Sequence, residues 1–345
     1  MATKDENPDK HSVVFDALHV EYKDMASWYD SFWKTYTSAT QQLPLEEVRA
    51  CIVEITRDND GASTGNDATM TVIVDVGCGT GTFLKRLYDE YYVSRNEQRT
   101  TSSYGSNVSA GLPSPTFRLV GIEPSEEMLR EATTKFDKIY KMGDVRRRND
   151  DSCSNVTVIL EKFPAEQLPL EDNSVDIVVS TNAFHFFRNK QQSLCEIQRV
   201  LKSNNGALVL TDWCSDYIIV RLYHFMERVR WNWMHGYKDA YPAPLRSYEL
   251  AELVEAAGLC INKHSTYRVR VFSIFFWGMQ SIVATKKCQT DDDRTMKEDE
   301  VVPPAELLLR GIWHVELLPP PASERSRSSL ERGASTINYQ HGPSP

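Results

Sequence analysis

The chain has 345 residues, 41% of them apolar, and a formal net charge of −9, which suits one large α/β domain with appendages and a sizeable core. Nucleic acid is not an expected partner: the short basic run Arg146-Arg147-Arg148 is followed at once by Asp150 and Asp151 and reads as a solvated loop rather than a basic face. The seven cysteines are scattered, odd in number and form no C-x-x-C, which argues against a disulfide framework or a metal site and for a reducing, cytoplasmic compartment.

In chain order, residues 1–12 are polar and lack the apolar h-region of a secretory signal. Tyr22, Ala26, Tyr29, Trp33 and Tyr36 recur at helical spacing and predict an N-terminal helical cap within residues 1–45. A main domain is expected over 46–285, with loop insertions near 57–70 and 94–115, both rich in small polar residues. Val72–Val76 reads as a buried strand, and Phe83–Tyr92 as a helix with Leu84, Leu87, Tyr88 and Tyr91 on one face. Phe117–Ile122 is a second strand. Ser125 is placed to cap the helix holding Met128, Leu129 and Ala132, with Glu126 and Glu127 in its first turn. Val156–Leu160 and Val175–Ser180 are further strands; Leu194, Ile197 and Leu201 share a helix face that stops near Gly206. Ala207–Thr211 is a fifth strand. The aromatic-rich stretch 212–244 reads as a lid, in which Leu222, Phe225, Val229 and Trp233 form a stripe expected to face the core. Leu250, Leu253, Val254 and Ala257 mark another helix, and strands at about 259–270 and 274–285 follow as a near-hairpin. The apolar run 271–277 is too short to span a bilayer. Residues 286–345 are expected to be a largely disordered tail, with Leu307–Leu318 as a candidate docking piece. The alternation of strands and helices predicts right-handed crossovers in an α/β, Rossmann-like, doubly wound, seven-stranded sheet, mostly parallel with one antiparallel strand at or near the edge. Ligands of such sheets bind beyond the carboxyl ends of the strands, at the switch point.

Asp75 closes the first of these strands, and Gly77, Gly79 and Gly81 follow. Glycine suits a turn where backbone must bend tightly and approach a ligand closely. The spacing is G-x-G-x-G, with Thr82 where a dinucleotide binder places its third glycine, so the turn fits a ligand without a pyrophosphate. Val74–Gly81 resembles the first motif of class I S-adenosylmethionine (SAM)-dependent methyltransferases. It is most similar to the type 11 small-molecule group, which includes the ubiquinone and menaquinone biosynthesis methyltransferases, and the likeness extends over roughly residues 22–285. The resemblance implies SAM as cofactor, with Asp75, Gly77, Cys78, Gly79 and Gly81 around its amino-acid part. It implies Glu123, in Gly121-Ile122-Glu123-Pro124-Ser125, on the ribose hydroxyls. Ala165 and Glu166 fall where relatives meet adenine, although Pro164 stands where they often carry a polar residue. Asn182 falls near the methionine tail, and Tyr29-Asp30 resembles a pair on the helix that covers the cofactor.

The expected reaction is in-line methyl transfer to a small-molecule acceptor, with no metal, no nucleic acid and no membrane span. An acceptor that must lose a proton would need a base, and His185 and Asp212 are the candidates. Packed between Phe184 and Phe186, His185 reads equally as a structural hydrogen bonder. Trp213, Tyr217, His224 and Arg228 are the candidate substrate residues. Arg221, His224 and Arg228 share a face suited to a carboxylate, whereas the tyrosines and tryptophans suit a cationic amine; the sequence leaves both open. A non-catalytic SAM-binding protein on the same fold, and a protein or RNA methyltransferase, are the alternatives. The oligomeric state is not legible.

Overall fold

The computed structural model describes residues 9–60, 70–93, 116–147, 156–235, 242–272 and 275–286. Two helices, α1 (Asp9–Thr40) and α2 (Gln42–Asp60), precede β1 (Met70–Val76) and α3 (Thr82–Tyr88), which runs into a π-helical turn (Asp89–Val93). Next come β2 (Thr116–Ile122), α4 (Glu126–Arg147), β3 (Val156–Glu161), β4 (Ile177–Thr181), a 3-10 turn (Phe184–Phe186) and α5 (Lys190–Val200). The chain continues through β5 (Ala207–Trp213), α6 (Ile218–His235), α7 (Ser247–Ala256), β6 (Cys260–Phe272) and β7 (Phe275–Thr285).

The strands form a seven-stranded sheet in the order β3-β2-β1-β4-β5-β7-β6. β1 pairs in parallel with β2 and β4, and the parallel pairing extends to β3 and β5. β7 runs antiparallel to both β5 and β6. The expected hairpin forms, and its antiparallel strand sits one place in from the edge. The chain winds outward from β1 to β3 and then returns to β4 on the other side of β1, so the switch point lies at the carboxyl ends of β1 and β4.

β1 and β4 are apolar and covered on both faces, because neighbouring side chains along a strand point to opposite sides. Val74, Val76 and Val178 pack with Leu194, Ile197, Leu250 and Val254 of α5 and α7. Ile73, Ile177 and Val179 pack with Val48, Ile52, Leu84 and Leu87 of α2 and α3. A third cluster, beyond β5 and β7, joins Tyr36 of α1 to Trp213, Tyr217, Val220, Tyr267, Trp277 and Met279.

The structure departs from the sequence reading in places. Helix α2 continues to Asp60, past the expected start of the first insertion. The α6 stripe expected to face the core is reversed: Leu222, Phe225, Val229 and Trp233 are exposed, and Val220 and Trp231 are buried instead. Those two lie on roughly the opposite side of the helix. Cys51, Cys78, Cys195 and Cys214 are free thiols, whereas Cys260 is disulfide-bonded, a pairing that scattered cysteines gave no pattern to anticipate. Residues 61–69 and 94–115 of the insertions, 236–241 of the lid, the tail from 287 with Leu307–Leu318, and the side chain of Tyr22 lie outside the described residues. Among the described residues no helix is long and apolar enough to cross a membrane, and no cluster of His, Cys, Asp and Glu is placed to hold a metal ion.

Candidate functional site

The turn after β1 is tied to the end of β2. Gly77 N and Cys78 N both donate to Ile122 O, at 2.8 and 3.1 Å. Gly77 and Gly79 adopt φ of +78° and +54°, in the left-handed region that L residues with a Cβ avoid. A Cβ on Gly77 would lie 2.5 Å from the Cβ of Ala183, whereas one on Gly79 would meet nothing within 4 Å. Gly77 is therefore needed for close packing of the turn on the β4 loop. Gly79 turns bare backbone toward open space.

That space is an open cleft of about 970 Å³, its mouth included. Its floor is Gly77, Cys78, Gly79 and Thr80; one wall is Glu123, Pro124, Ser125 and Met128. Thr181, Asn182, Ala183, Phe186 and Phe187 form the opposite wall, and Tyr29, Tyr36 and Thr37 of α1 cover it together with Gln41.

Glu123 is buried at the end of β2. Its Oε2 accepts from Gly79 N and its Oε1 from Ser125 N, both at 2.9 Å. A carboxylate has about four acceptor sites, so each oxygen keeps one for a ligand. Burial pushes this carboxyl up to about 7 despite the two backbone donors. Asp75, behind the turn and off the cleft, is 1% exposed, and neither carboxylate oxygen has a hydrogen-bond partner. Burial, with Glu123 nearby, raises it to about 8. Ser125 caps α4 as expected, accepting from Met128 N at 3.3 Å.

Helix α1 is fastened over the cleft at two points. Asp30 accepts from the Thr80 and Thr82 hydroxyls and pairs with Lys135 at 2.7 Å. Burial works against this carboxylate, but Lys135 and the hydroxyls outweigh it and hold the group below its ordinary range. At the second point, Tyr36 Oη accepts from Trp213 Nε1 and donates to Asn182 Oδ1 at 2.8 Å. Asn182 Nδ2 in turn donates to Thr40 Oγ1 at 3.0 Å. Burial, with Glu123 and Asp30 nearby, pushes the Tyr29 phenol up to about 12, so it stays protonated as a donor at neutral pH.

His185 and Asp212 form a buried pair, Nδ1 to Oδ1 at 2.7 Å. Asp212 also accepts from His185 N at 2.7 Å and Trp213 N at 2.8 Å, joining the β4 loop to the end of β5. A carboxylate only accepts, so Nδ1 carries the proton. Nε2 is buried without a partner. The imidazole stacks on Trp213 at 4.6 Å and meets the ring of Phe186 at 4.0 Å. Neither His185 nor Asp212 lines the cleft; Phe186 does.

Residues 102–210 match the family model described as a methyltransferase domain, a stretch holding Glu123, Asn182 and His185. That stretch, less than half of the chain, matches a methyltransferase domain of the type 11 group. Over 144 residues the chain is 29% identical to an uncharacterised 37.1 kDa protein in transposon TN4556 of Streptomyces fradiae. That match spans 41% of this chain and 30% of the relative. Among solved structures, one similar protein is a SAM-dependent methyltransferase of Thermotoga maritima described as a possible histamine N-methyltransferase. It shares 18% identity at a TM-score of 0.44, over 77% of this chain and 98% of that one. Another is the complex of the Trm112 methyltransferase activator with its methyltransferase from Haloferax volcanii, with 17% identity and a TM-score of 0.42, over 80% and 97%.

Around the cleft of this methyltransferase domain the structure brings together seven of the residues singled out from the sequence: Tyr29, Gly77, Cys78, Gly79, Glu123, Pro124 and Asn182. Others lie elsewhere. Gly81 backs onto Ala132 and Phe136 of α4. Ala165 is buried in the core beside Leu168, and Glu166 accepts from Asn189 N at 2.9 Å. Trp213 and Tyr217 are packed in the third cluster. His224 and Arg228 are half-buried on α6, with Arg228 beside the ring of Phe225. Sequence reasoning missed Tyr36, Thr37 and Gln41 as cleft residues, and also Ser125, Phe186 and Phe187. The signal for Tyr36 was present, since it lies two helical turns after Tyr29 on the same face.

The domain's cofactor fits these residues. SAM is a cation carrying a vicinal diol. The site offers two buried acids, one with spare acceptor capacity facing the cleft and one wholly unpartnered, beside backbone without side chains.

Proposed function

We propose that this chain transfers a methyl group from SAM to a small-molecule acceptor in this cleft. The observation that carries the reading is Glu123 at the end of β2, hydrogen-bonded to the bare backbone of Gly79 beside the switch point. In this reading the free acceptor sites of Glu123 take the ribose hydroxyls and the Gly77–Gly79 backbone lies against the adenosyl amino acid. Asn182 and Tyr29 bound the methyl-bearing end, and Asp75 contributes negative charge from behind the turn. When bound, SAM supplies a methyl group already activated by its sulfonium. The chain's task is then to align the acceptor and exclude water. The aromatic walls from Tyr29, Tyr36, Phe186 and Phe187 suit that dry environment, and the acidic charge balance favours a small acceptor over nucleic acid. For an acceptor that sheds a proton, His185 is the base: Asp212 orients it and leaves Nε2 able to take the proton. Phe186, packed on the imidazole, must swing aside for the acceptor to reach it.

Calorimetry with SAM, followed by a labelled-methyl screen of acceptors, tests the assignment. Gly79→Val should lose SAM binding, because its side chain enters the cleft from a strained left-handed backbone. Glu123→Gln should bind SAM about 10- to 100-fold more weakly, the range for losing a hydrogen bond to a charged group. Normal affinity in both variants would remove the cofactor from this cleft. Tight SAM binding without turnover on any acceptor would favour a non-catalytic binder.

A further inference from the structure

Among the described residues that line the cleft, one buried side-chain polar atom has no hydrogen-bond partner. It is Oε1 of Gln41, a residue 6% exposed in the turn between α1 and α2. The backbone there is committed: Gln41 N donates to Thr37 O at 3.0 Å, and Gln41 O accepts from Leu45 N at 3.3 Å. The neighbouring Gln42 is different. Its Nε2 donates to Glu46 at 2.8 Å and its Oε1 accepts from Arg86 at 3.0 Å, so that amide ties α2 to α3. A carbonyl oxygen buried without a donor is unfavourable, and in the wall of a binding cleft it is a place for a ligand's N–H or O–H.

The polar groups around Gln41 are already engaged. Asn182, which the resemblance to class I methyltransferases puts near the methionine tail, has both ends of its amide tied to α1. Its Oδ1 accepts from Tyr36 Oη at 2.8 Å, and its Nδ2 donates to Thr40 Oγ1 at 3.0 Å. Tyr36 is itself held by Trp213, and Thr37 Oγ1 donates back to Trp33 O at 3.0 Å. Gln41 follows Thr40 directly, which sets its amide at the same end of the cleft as Asn182. We propose that the Gln41 side chain, rather than that of Asn182, takes the amino-acid end of SAM. A carboxamide offers both an acceptor and donors, and that end of SAM is a zwitterion, whose ammonium donates and whose carboxylate accepts. Either way round, the amide finds a complementary charge. An N–H or O–H on the methyl acceptor is the other ligand group with the chemistry to reach Oε1, and the test separates the two. The inference deepens the methyltransfer reading and rests on it.

The test is calorimetry on the full chain with two ligands. S-adenosylhomocysteine keeps the amino-acid end; methylthioadenosine lacks it but keeps the nucleoside and the sulfur. Gln41→Met removes the amide at nearly constant volume. It should weaken S-adenosylhomocysteine binding by at least about tenfold, the scale of a hydrogen bond to a charged group. Methylthioadenosine binding should change by less than about twofold. The melting temperature of the ligand-free variant should not fall, because the oxygen it loses has no partner to leave behind. Equal weakening of both ligands, or a lower melting temperature with the preference for S-adenosylhomocysteine intact, overturns the inference and makes Gln41 a structural residue. Unchanged affinity for both ligands also overturns it, and leaves Oε1 to a donor on the methyl acceptor. A wild-type chain that binds neither ligand removes the methyltransfer reading and this inference with it, whereas binding that the variant does not alter removes this inference alone.

Discussion

Gly77→Ala probes the packing that shapes the cleft floor. The added methyl carbon would sit 2.5 Å from the Cβ of Ala183, on a residue with φ of +78°. Holding an alanine in the left-handed region costs about 1–2 kcal/mol. Forcing a methyl into a packed contact costs about 1–3 kcal/mol more. Together they remove about 2–5 kcal/mol, a large part of an ordinary domain's stability of about 5–15 kcal/mol. The two contributions separate in a double-mutant cycle with Ala183→Gly, which deletes the opposing methyl and leaves the backbone strain. Urea unfolding followed by tryptophan fluorescence should give a favourable coupling of about 1–3 kcal/mol, with about 1–2 kcal/mol of destabilisation left in the double variant. A single-variant cost below about 1 kcal/mol, or strictly additive losses, would refute the geometry of the turn.

Other tests address other layers. His185→Ala should lower turnover with little change in SAM affinity, and unchanged turnover would reject His185 as the base. Asp75, raised to about 8, keeps its proton in the folded state to higher pH than in the unfolded chain, where its ordinary value is 3.8. Between those values the folded state binds more protons, so the ligand-free protein loses stability as pH rises through that window. Thermal melts from pH 5 to 8 should show a smaller loss in Asp75→Asn than in the wild type, and equal slopes would contradict the burial argument. On α6, Trp231→Ala should cost about 3–5 kcal/mol, whereas Trp233→Ala, two positions on, should change stability by no more than about 0.5 kcal/mol. Equal effects would mean that the helix is rotated relative to this description.

Much of the fold was legible because local patterns and tertiary demands agreed. Strands β1, β2, β4 and β5 are short apolar runs largely buried on both faces, and the helices between them carry a single apolar stripe. The glycine turn and Glu123 were legible because a tight backbone bend and a strand-end acid constrain residue type directly. Helix α6 shows the limit. It has apolar residues on both sides, and periodicity marks a stripe without saying which side meets the sheet; the side that does carries Val220, packed in the aromatic cluster of β5 and β7, and the buried Trp231. Trp213 and Tyr217 were singled out for their residue types, but the structure packs them in the third cluster, with Trp213 touching the cleft residue Tyr36 through its indole N–H. The cover contributed by Tyr36, Thr37 and Gln41 depends on how α1 crosses the sheet, and helical spacing alone does not encode that crossing.

The fastening of α1 bears on how the protein is cut for study. The family match begins at residue 102, and even an expression fragment opened at the first strand would discard Tyr29, Tyr36 and Thr37, together with the partners of Thr80 and Asn182. Such a fragment would keep the glycine turn and Glu123 yet leave the site unroofed, so weak cofactor retention in it would report the missing helix and not a defective turn.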